Sequence, residues 1–351
     1  AEHYEGKGRF AEKLADVLWA IFEESSWVIH AHAVHVPVYG ADQSVPTTFG
    51  ERLHGIDLCS ADTASRVAMA WYLCHDALGA ISPTIGERLL YELNERAAKP
   101  YLNAVFGWSG ERGNRVNNWN PYVHLHLLTV TALVVKDPYL REHMTEKIMT
   151  LLDNFVKFYS PDGGCDEGPG YFDMAGGCYF DCLELLDDMT GGKVNVFDHP
   201  LVRAIGEYEV KFNIAGDRFI NFADCAARFI ADGARLVRFG ERTGSEILVS
   251  FGESQMALGS SRGGLSYRGL RNLLTPTPEK TTPKAATKIW FPDLKVMAAR
   301  ESSDPAHGMF VAMKGGNNNE SHNHNDIGNI IVYHDGNPVL IDSGVGTYTK
   351  Q

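Results

Sequence analysis

Apolar residues recur at helical spacing through roughly the first three quarters of the chain. Leu14, Val17, Leu18 and Ile21 form one such stripe, the i, i+3, i+4, i+7 pattern of an amphipathic helix. Ser60-Ala61-Asp62 can cap a helix that runs through Leu78. Ser82-Pro83 opens another, containing Ile85, Leu89, Leu90 and Leu93; serine accepts from free first-turn N–H groups, and proline suits the first helical position. The same periodicity predicts helices over about 121–135, 138–159, 172–189, 198–214, 222–239 and 244–257. Short loops join them, so successive helices pair as antiparallel hairpins, in a bundle or an (α/α) toroid. The sequence shows no repeat that would establish the toroid.

The pattern changes at Thr275-Pro276-Thr277-Pro278-Glu279-Lys280-Thr281-Thr282-Pro283, a stretch with the composition of an interdomain linker. Strand-like runs follow at Lys288–Phe291, Leu294–Ala299, Met309–Met313, Ile327–Tyr333 and Pro338–Asp342. His334-Asp335-Gly336-Asn337 reads as a hairpin turn in which Asp-Gly supplies positive φ. The expected organisation is an α+β multidomain chain: helical residues 1–272, a linker at 273–287, and the start of a β-sandwich at 288–351. Only about 65 residues follow the linker, few for a sandwich that must bury its own faces. A truncated or clipped protein is therefore expected.

Composition narrows the function. The 351 residues carry a net charge of −12, which argues against nucleic acid as the main partner. A polyanionic substrate would need a local cationic or metal-bearing cleft. No apolar run is long enough for a transmembrane helix, and no membrane span is expected. Ala1-Glu2-His3-Tyr4 lacks the basic and apolar regions of a signal peptide, which does not separate a cytoplasmic protein from a processed one. The six cysteines are dispersed without a CxxC pair and read as small buried hydrophobes.

Three segments concentrate chemistry. Ser321-His322-Asn323-His324-Asn325-Asp326 is followed by Val339-Leu340-Ile341-Asp342-Ser343-Gly344. Two imidazoles and a carboxylate can hold a zinc ion, present a base, or form a solvated polar turn, with His334 as a further ligand candidate. In Asp162-Gly163-Gly164-Cys165-Asp166-Glu167-Gly168-Pro169-Gly170-Tyr171, glycines and proline force an irregular backbone that carries two acids and a tyrosine. Tyr171 is a candidate acid or base and Glu167 or Asp166 a candidate glycosidase acid; a tight interhelical turn is the bland reading. Asn117-Asn118-Trp119-Asn120 sets amide donors and a stacking ring before a helix, and an ordinary asparagine-rich helix start explains it equally well. His124 and His126, on that helix, read as packed or surface residues.

These three segments, in this order, resemble the heparinase II/III-like polysaccharide lyases, which include heparin, heparan sulfate and alginate lyases. The resemblance is most specific from Asn319 to Gly328 and from Leu340 to Tyr348. It implies an (α/α) toroid followed by an antiparallel β-sandwich, with the active site between them, and β-elimination at a uronic acid. By similarity, Asn118 neutralises the substrate carboxylate, Tyr171 is the acid and a candidate base, and His322 is a base or neutralising partner. Asn117, Trp119, Asn120, Glu167 and Tyr348 are implied substrate contacts, and His324 and Asp342 implied ligands of a structural zinc. Relatives often carry histidine where this chain has Trp119, which leaves the split of base and neutraliser roles open. The family's third zinc ligand follows the aspartate by tens of residues, beyond Gln351. The implied partner is an acidic polysaccharide or oligosaccharide, and the implied location periplasmic or secreted. A glycoside hydrolase using Glu167 or Asp166, or a non-catalytic glycan-binding protein, is the alternative.

Overall fold

The computed structural model describes residues 1–35, 54–260, 264–276, 283–317, 319, 322, 324 and 327–344. They fall into two compact units, Ala1–Phe158 with Leu265–Tyr267, and Tyr159–Gly264 with Arg268–Gln351.

The first unit holds α1 (Glu2–Glu5), α2 (Ala11–Phe22), α3 (Leu58–Ile81), α4 (Pro83–Leu93), α5 (Lys99–Asn103), α6 (Trp119–Val134) and α7 (Pro138–Phe158). The α3 helix starts earlier than expected, because Asp57 and not Ser60 is its N-cap. The Asp57 carboxylate accepts from Ser60 N at 2.7 Å, and Ser60 Oγ accepts from Asp57 N at 2.8 Å, a reciprocal capping box. Ser82 caps α4 with Pro83 at the first turn, as its sequence requires. The α6 helix packs between α3 and α7 and is buried on almost every face, including His124 and His126. A helix apolar all round belongs in a core.

The second unit holds α8 (Pro169–Phe172), α9 (Gly176–Thr190), α10 (Pro200–Phe212), the short antiparallel strands β1 (Asn213–Ala215) and β2 (Arg218–Phe219), α11 (Gly233–Thr243), α12 (Glu246–Ala257) and α13 (Tyr267–Leu274). The helix expected over 222–239 begins only at Gly233, where Asp232 caps it by accepting from Arg235 N. Residues 222–232 form no helix, and the apolar Phe222, Ala223 and Cys225 at the start of the expected one are buried without it. Arg238, Arg268 and Arg271 meet Asp181, Glu184 and Asp188 and tie α9, α11 and α13 together. Each guanidinium is matched by carboxylates, the condition under which buried charge is tolerated.

Five further strands, β3 (Lys288–Phe291), β4 (Val296–Arg300), β5 (Met309–Lys314), β6 (Ile330–His334) and β7 (Asn337–Leu340), form an antiparallel meander in sequence order. The turn between β6 and β7 is as expected, with Asp335 at φ 47 and Gly336 at φ 69. Alternate residues point inward: Ile289, Phe291, Val296, Ala298, Phe310, Ala312, Ile331 and Tyr333 are buried. Phe291 packs on Tyr208 and Phe212 of α10, and Arg300 donates to the Ile214 and Asn213 carbonyls, so this face seats on the helical part of the same unit. The opposite face carries Trp290, Met309, Met313 and Ile330, all exposed. A sheet apolar on both faces is the pattern of a sandwich layer.

Candidate active site

The glycine-rich loop of the second unit is pinned at several points. Ser160 Oγ lies 2.5 Å from Asp162 Oδ1 and 2.8 Å from Asp293 Oδ2. The Tyr208 hydroxyl donates to the Cys165 carbonyl at 3.1 Å. Gly168, at φ +88, then turns the chain into the single turn of α8, which carries Tyr171. A Cβ at Gly168 would stand 2.8 Å from the Phe222 carbonyl oxygen, and one at Gly170 2.5 Å from the Asp224 carbonyl oxygen. Absent side chains at these two positions let the Asp224 segment lie directly against the Tyr171 turn.

Onto this base come the histidines. His322 Nδ1 lies 2.6 Å from Asp224 Oδ2, and His322 Nε2 lies 3.3 Å from Glu167 Oε2. His324 Nε2 lies 2.7 Å from Asp224 Oδ1. The His322 ring stacks on the Tyr171 ring with centroids 3.9 Å apart and an interplanar angle of 26°. With its Nδ1–H donated to Asp224, His322 is held in one ring orientation. Glu167 is buried, while the two imidazoles keep about a quarter of their side-chain surface exposed. Burial first, then the charges of Asp224 and Glu167, push the Tyr171 phenol above its ordinary pKa. Tyr171 therefore keeps its proton at neutral pH, the form of a proton donor. Ala223 (φ 60) and His322 (φ 53) occupy the left-handed region without being glycine. Such conformations persist only where surrounding contacts fix them, and they gather at functional sites.

The candidates of the asparagine-rich segment lie in the first unit. Asn118 is buried at the N-cap of α6, where its side chain makes no capping bond to the helix. Asn117 Oδ1 accepts from Trp119 N at 3.2 Å, and the half-buried Trp119 ring lies 4.7 Å from the His32 ring. Asn120 is a correction to the expected substrate contact. Its side chain is fully buried, and its amide donates to the Ser109 and Leu151 carbonyls at 3.0 and 3.1 Å, binding loop and helix instead of ligand. His124 is fully buried against Tyr101 and Trp108, and burial lowers its pKa to about 3, so it is a neutral core residue. Tyr348 lies outside the described residues.

The expected metal donors are engaged with other protein groups. His324 gives its Nε2 to Asp224, while the buried Asp342 accepts from Gly344 N at 2.7 Å and from the Asn329 amide. Among the described residues the one group of three such donors lying close together is His32, Asp57 and Cys59 in the first unit. Asp57 there is already bonded to Ser60 N, Ile29 N and His32. As placed, neither set fits a tetrahedral zinc ion.

Residues 283–351 match the family model described as Heparinase II/III-like, C-terminal. This part of the chain is similar to that family's C-terminal domain. The whole chain is similar in fold to solved lyases of that name. A heparinase III structure superposes with a TM-score of 0.70 at 15% identity, covering 99% of this chain and 49% of its own. A heparan sulfate lyase from Pedobacter heparinus gives 0.58 at 11% identity, covering 100% and 48%. A further heparinase III, with methylated lysines, gives 0.61 at 13% identity, covering 100% and 50%. The chain thus spans about half the length of these structures, and no curated protein matches it by sequence. The expected fold class, an (α/α) toroid followed by antiparallel β structure, is borne out, as is the heparinase II/III-like resemblance.

The sequence reading missed Asp224. Its local signal is slight: Asp224 stands among Phe222, Ala223 and Cys225 at the start of the helix expected over 222–239. Arg268 and Arg271, which could otherwise meet a charged ligand, pair with Asp181, Glu184 and Asp188.

Proposed function

We propose that this chain carries catalytic groups of a polysaccharide lyase that cleaves a uronic-acid-containing glycan by β-elimination. The observation that carries the reading is the stacked Tyr171–His322 pair flanked by Asp224 and Glu167. Elimination needs a group to take the C5 proton and another to protonate the departing glycosidic oxygen. Tyr171, protonated at neutral pH by the raised pKa of its phenol, is the acid. His322 is the base or its partner, oriented by Asp224 through Nδ1. Asn118 supplies amide donors to the substrate carboxylate, since stabilising the developing enolate there lowers the barrier most.

The hydrolase reading loses support at Glu167. That acid is buried and faces His322 Nε2, and Asp224 faces Nδ1, so an imidazole fills the space a sugar ring would need between two carboxylates. Heparan-sulfate-type chains, from the structural neighbours, and less sulfated uronides, favoured by the net charge of −12, are the substrates to try first. Polymers of this size are met in a periplasm or outside the cell, which places the enzyme there in this proposal.

A screen of uronate polysaccharides read by ultraviolet absorbance tests the proposal. Elimination leaves a conjugated double bond that absorbs; hydrolysis does not. Cleavage without absorbance would end the lyase reading. Unchanged glycan binding with no turnover, in the wild type and in Tyr171→Phe and His322→Ala alike, would favour the binding protein.

A further inference from the structure

We propose that Asp224 is a positioning residue of this site: one carboxylate orients both histidines and, through His322, sets the imidazole against the Tyr171 ring. The kinetic part of this inference rests on the lyase reading; the placement itself does not.

Three observations carry it. Asp224 divides its two oxygens between two imidazoles, Oδ2 to His322 Nδ1 at 2.6 Å and Oδ1 to His324 Nε2 at 2.7 Å. Among the described residues no lysine or arginine pairs with this carboxylate, whose side chain is 8% exposed. A carboxylate removed from water requires charge-assisted or multiple hydrogen bonds, and here the histidines provide them. Second, Asp224 serves no regular element. It lies between β2 and α11, whose cap is Asp232, so helix capping does not account for it. Third, its backbone is fixed relative to Tyr171. Gly168 and Gly170 bring residues 222–225 against the α8 turn, and the positive φ of Ala223 and of His322 brackets the contact. The carboxylate therefore links a rigid turn, which bears the acid, to residues whose imidazoles would otherwise rotate about their own χ angles.

Loss of the carboxylate frees His322 to leave the Tyr171 ring without removing any group that touches substrate. A residue acting in this way changes turnover more than substrate affinity. Asp224→Ala and Asp224→Asn are to be compared with wild type in the full chain, with Asp224→Glu as the conservative variant. The expected result is a kcat lower by about a hundredfold for alanine and asparagine, KM within about threefold, an unchanged circular dichroism spectrum, and partial recovery with glutamate. Asparagine keeps the shape but only one acceptor oxygen, so it loses one of the two histidines and covers the case in which alanine does not fold. In a His322→Gln background, Asp224→Ala should cost little further, because its route to the chemistry is gone.

Histidine ¹⁵N NMR supplies a readout without substrate. Wild type should show a proton on His322 Nδ1 and on His324 Nε2, each bonded to Asp224, and both signatures should be lost in Asp224→Ala. Wild-type ¹⁵N signatures in Asp224→Ala would overturn the placement, whatever the activity. Altered signatures with wild-type kcat would overturn the role in turnover. Absent turnover of every uronate polysaccharide by wild type would instead count against the lyase reading and leave the NMR result to decide Asp224.

Discussion

His32 and Asp57 in the first unit are joined at 2.7 Å, and His322 and Asp224 in the second at 2.6 Å. Both aspartates are almost fully buried and both histidines are part-exposed. Around them the structures differ. Asp57 caps α3, completes a box with Ser60, and accepts from Ile29 N, so the fold explains its burial before His32 is considered. Asp224 caps nothing, and its bonds among the described residues run to two imidazoles. The residues beside it are strained, and the neighbouring ring is a tyrosine whose proton is held more tightly than usual. A histidine–aspartate bond alone therefore says little about function. What distinguishes the second pair is that, among the described residues, no helix cap, strand, lysine or arginine accounts for it.

The largest expected effect lies on the Tyr171 side of this comparison. Tyr171→Phe removes the proton donor and keeps the ring that stacks on His322, so kcat should fall by about a hundred- to ten-thousand-fold with little change in melting temperature. The pH profile gives a second check. The donor form is the protonated phenol, and its pKa is raised, so kcat should hold through neutral pH and fall only as pH rises through that elevated value. The residual rate of Tyr171→Phe should lack this alkaline limb. A phenylalanine variant with wild-type turnover would reduce the second pair to packing.

Gly170→Ala comes next and probes the approach itself. The new Cβ would meet the Asp224 carbonyl oxygen at 2.5 Å and Cys225 Cα at 3.2 Å, backbone atoms that cannot rotate away. The Asp224 segment must shift from the α8 turn, which should lower kcat by about tenfold to a hundredfold and stability by about 1–3 kcal/mol. Equal loss from a change in the first pair would erase the distinction.

These residues also show which parts of the site were legible in the sequence. Periodicity placed α2, α4, α6, α7, α10 and α12 and the strands of the meander because each buries one regular face or is buried throughout. Tyr171, Glu167, His322 and His324 stood out because glycines, histidines and acids were clustered along the chain, and the structure brings these four together. Asp224 was illegible for a physical reason. It acts across 98 residues of sequence, from a stretch whose apolar neighbours are buried by irregular chain and mimic a helical face. Asn120 misled in the opposite sense: an amide beside a tryptophan looks like a ligand donor, yet its bonds are the carbonyls of its own core.

On the first pair the expected costs are in stability. Asp57→Ala removes the cap of a 24-residue helix and leaves the Ile29 N–H without its acceptor, which should cost about 2–3 kcal/mol by chemical denaturation. If the cap is the reason for Asp57, the His32 bond adds little to that figure. His32→Ala should then cost about 1 kcal/mol or less, since its side chain is 21% exposed and water can replace the lost partner. The two costs should be nearly additive in the double variant, with a coupling below about 0.5 kcal/mol. A coupling of about 2 kcal/mol would mean that the first unit depends on the pair itself. The two dyads would then differ in surroundings but not in kind, and the absence of a capping role at Asp224 would no longer set it apart.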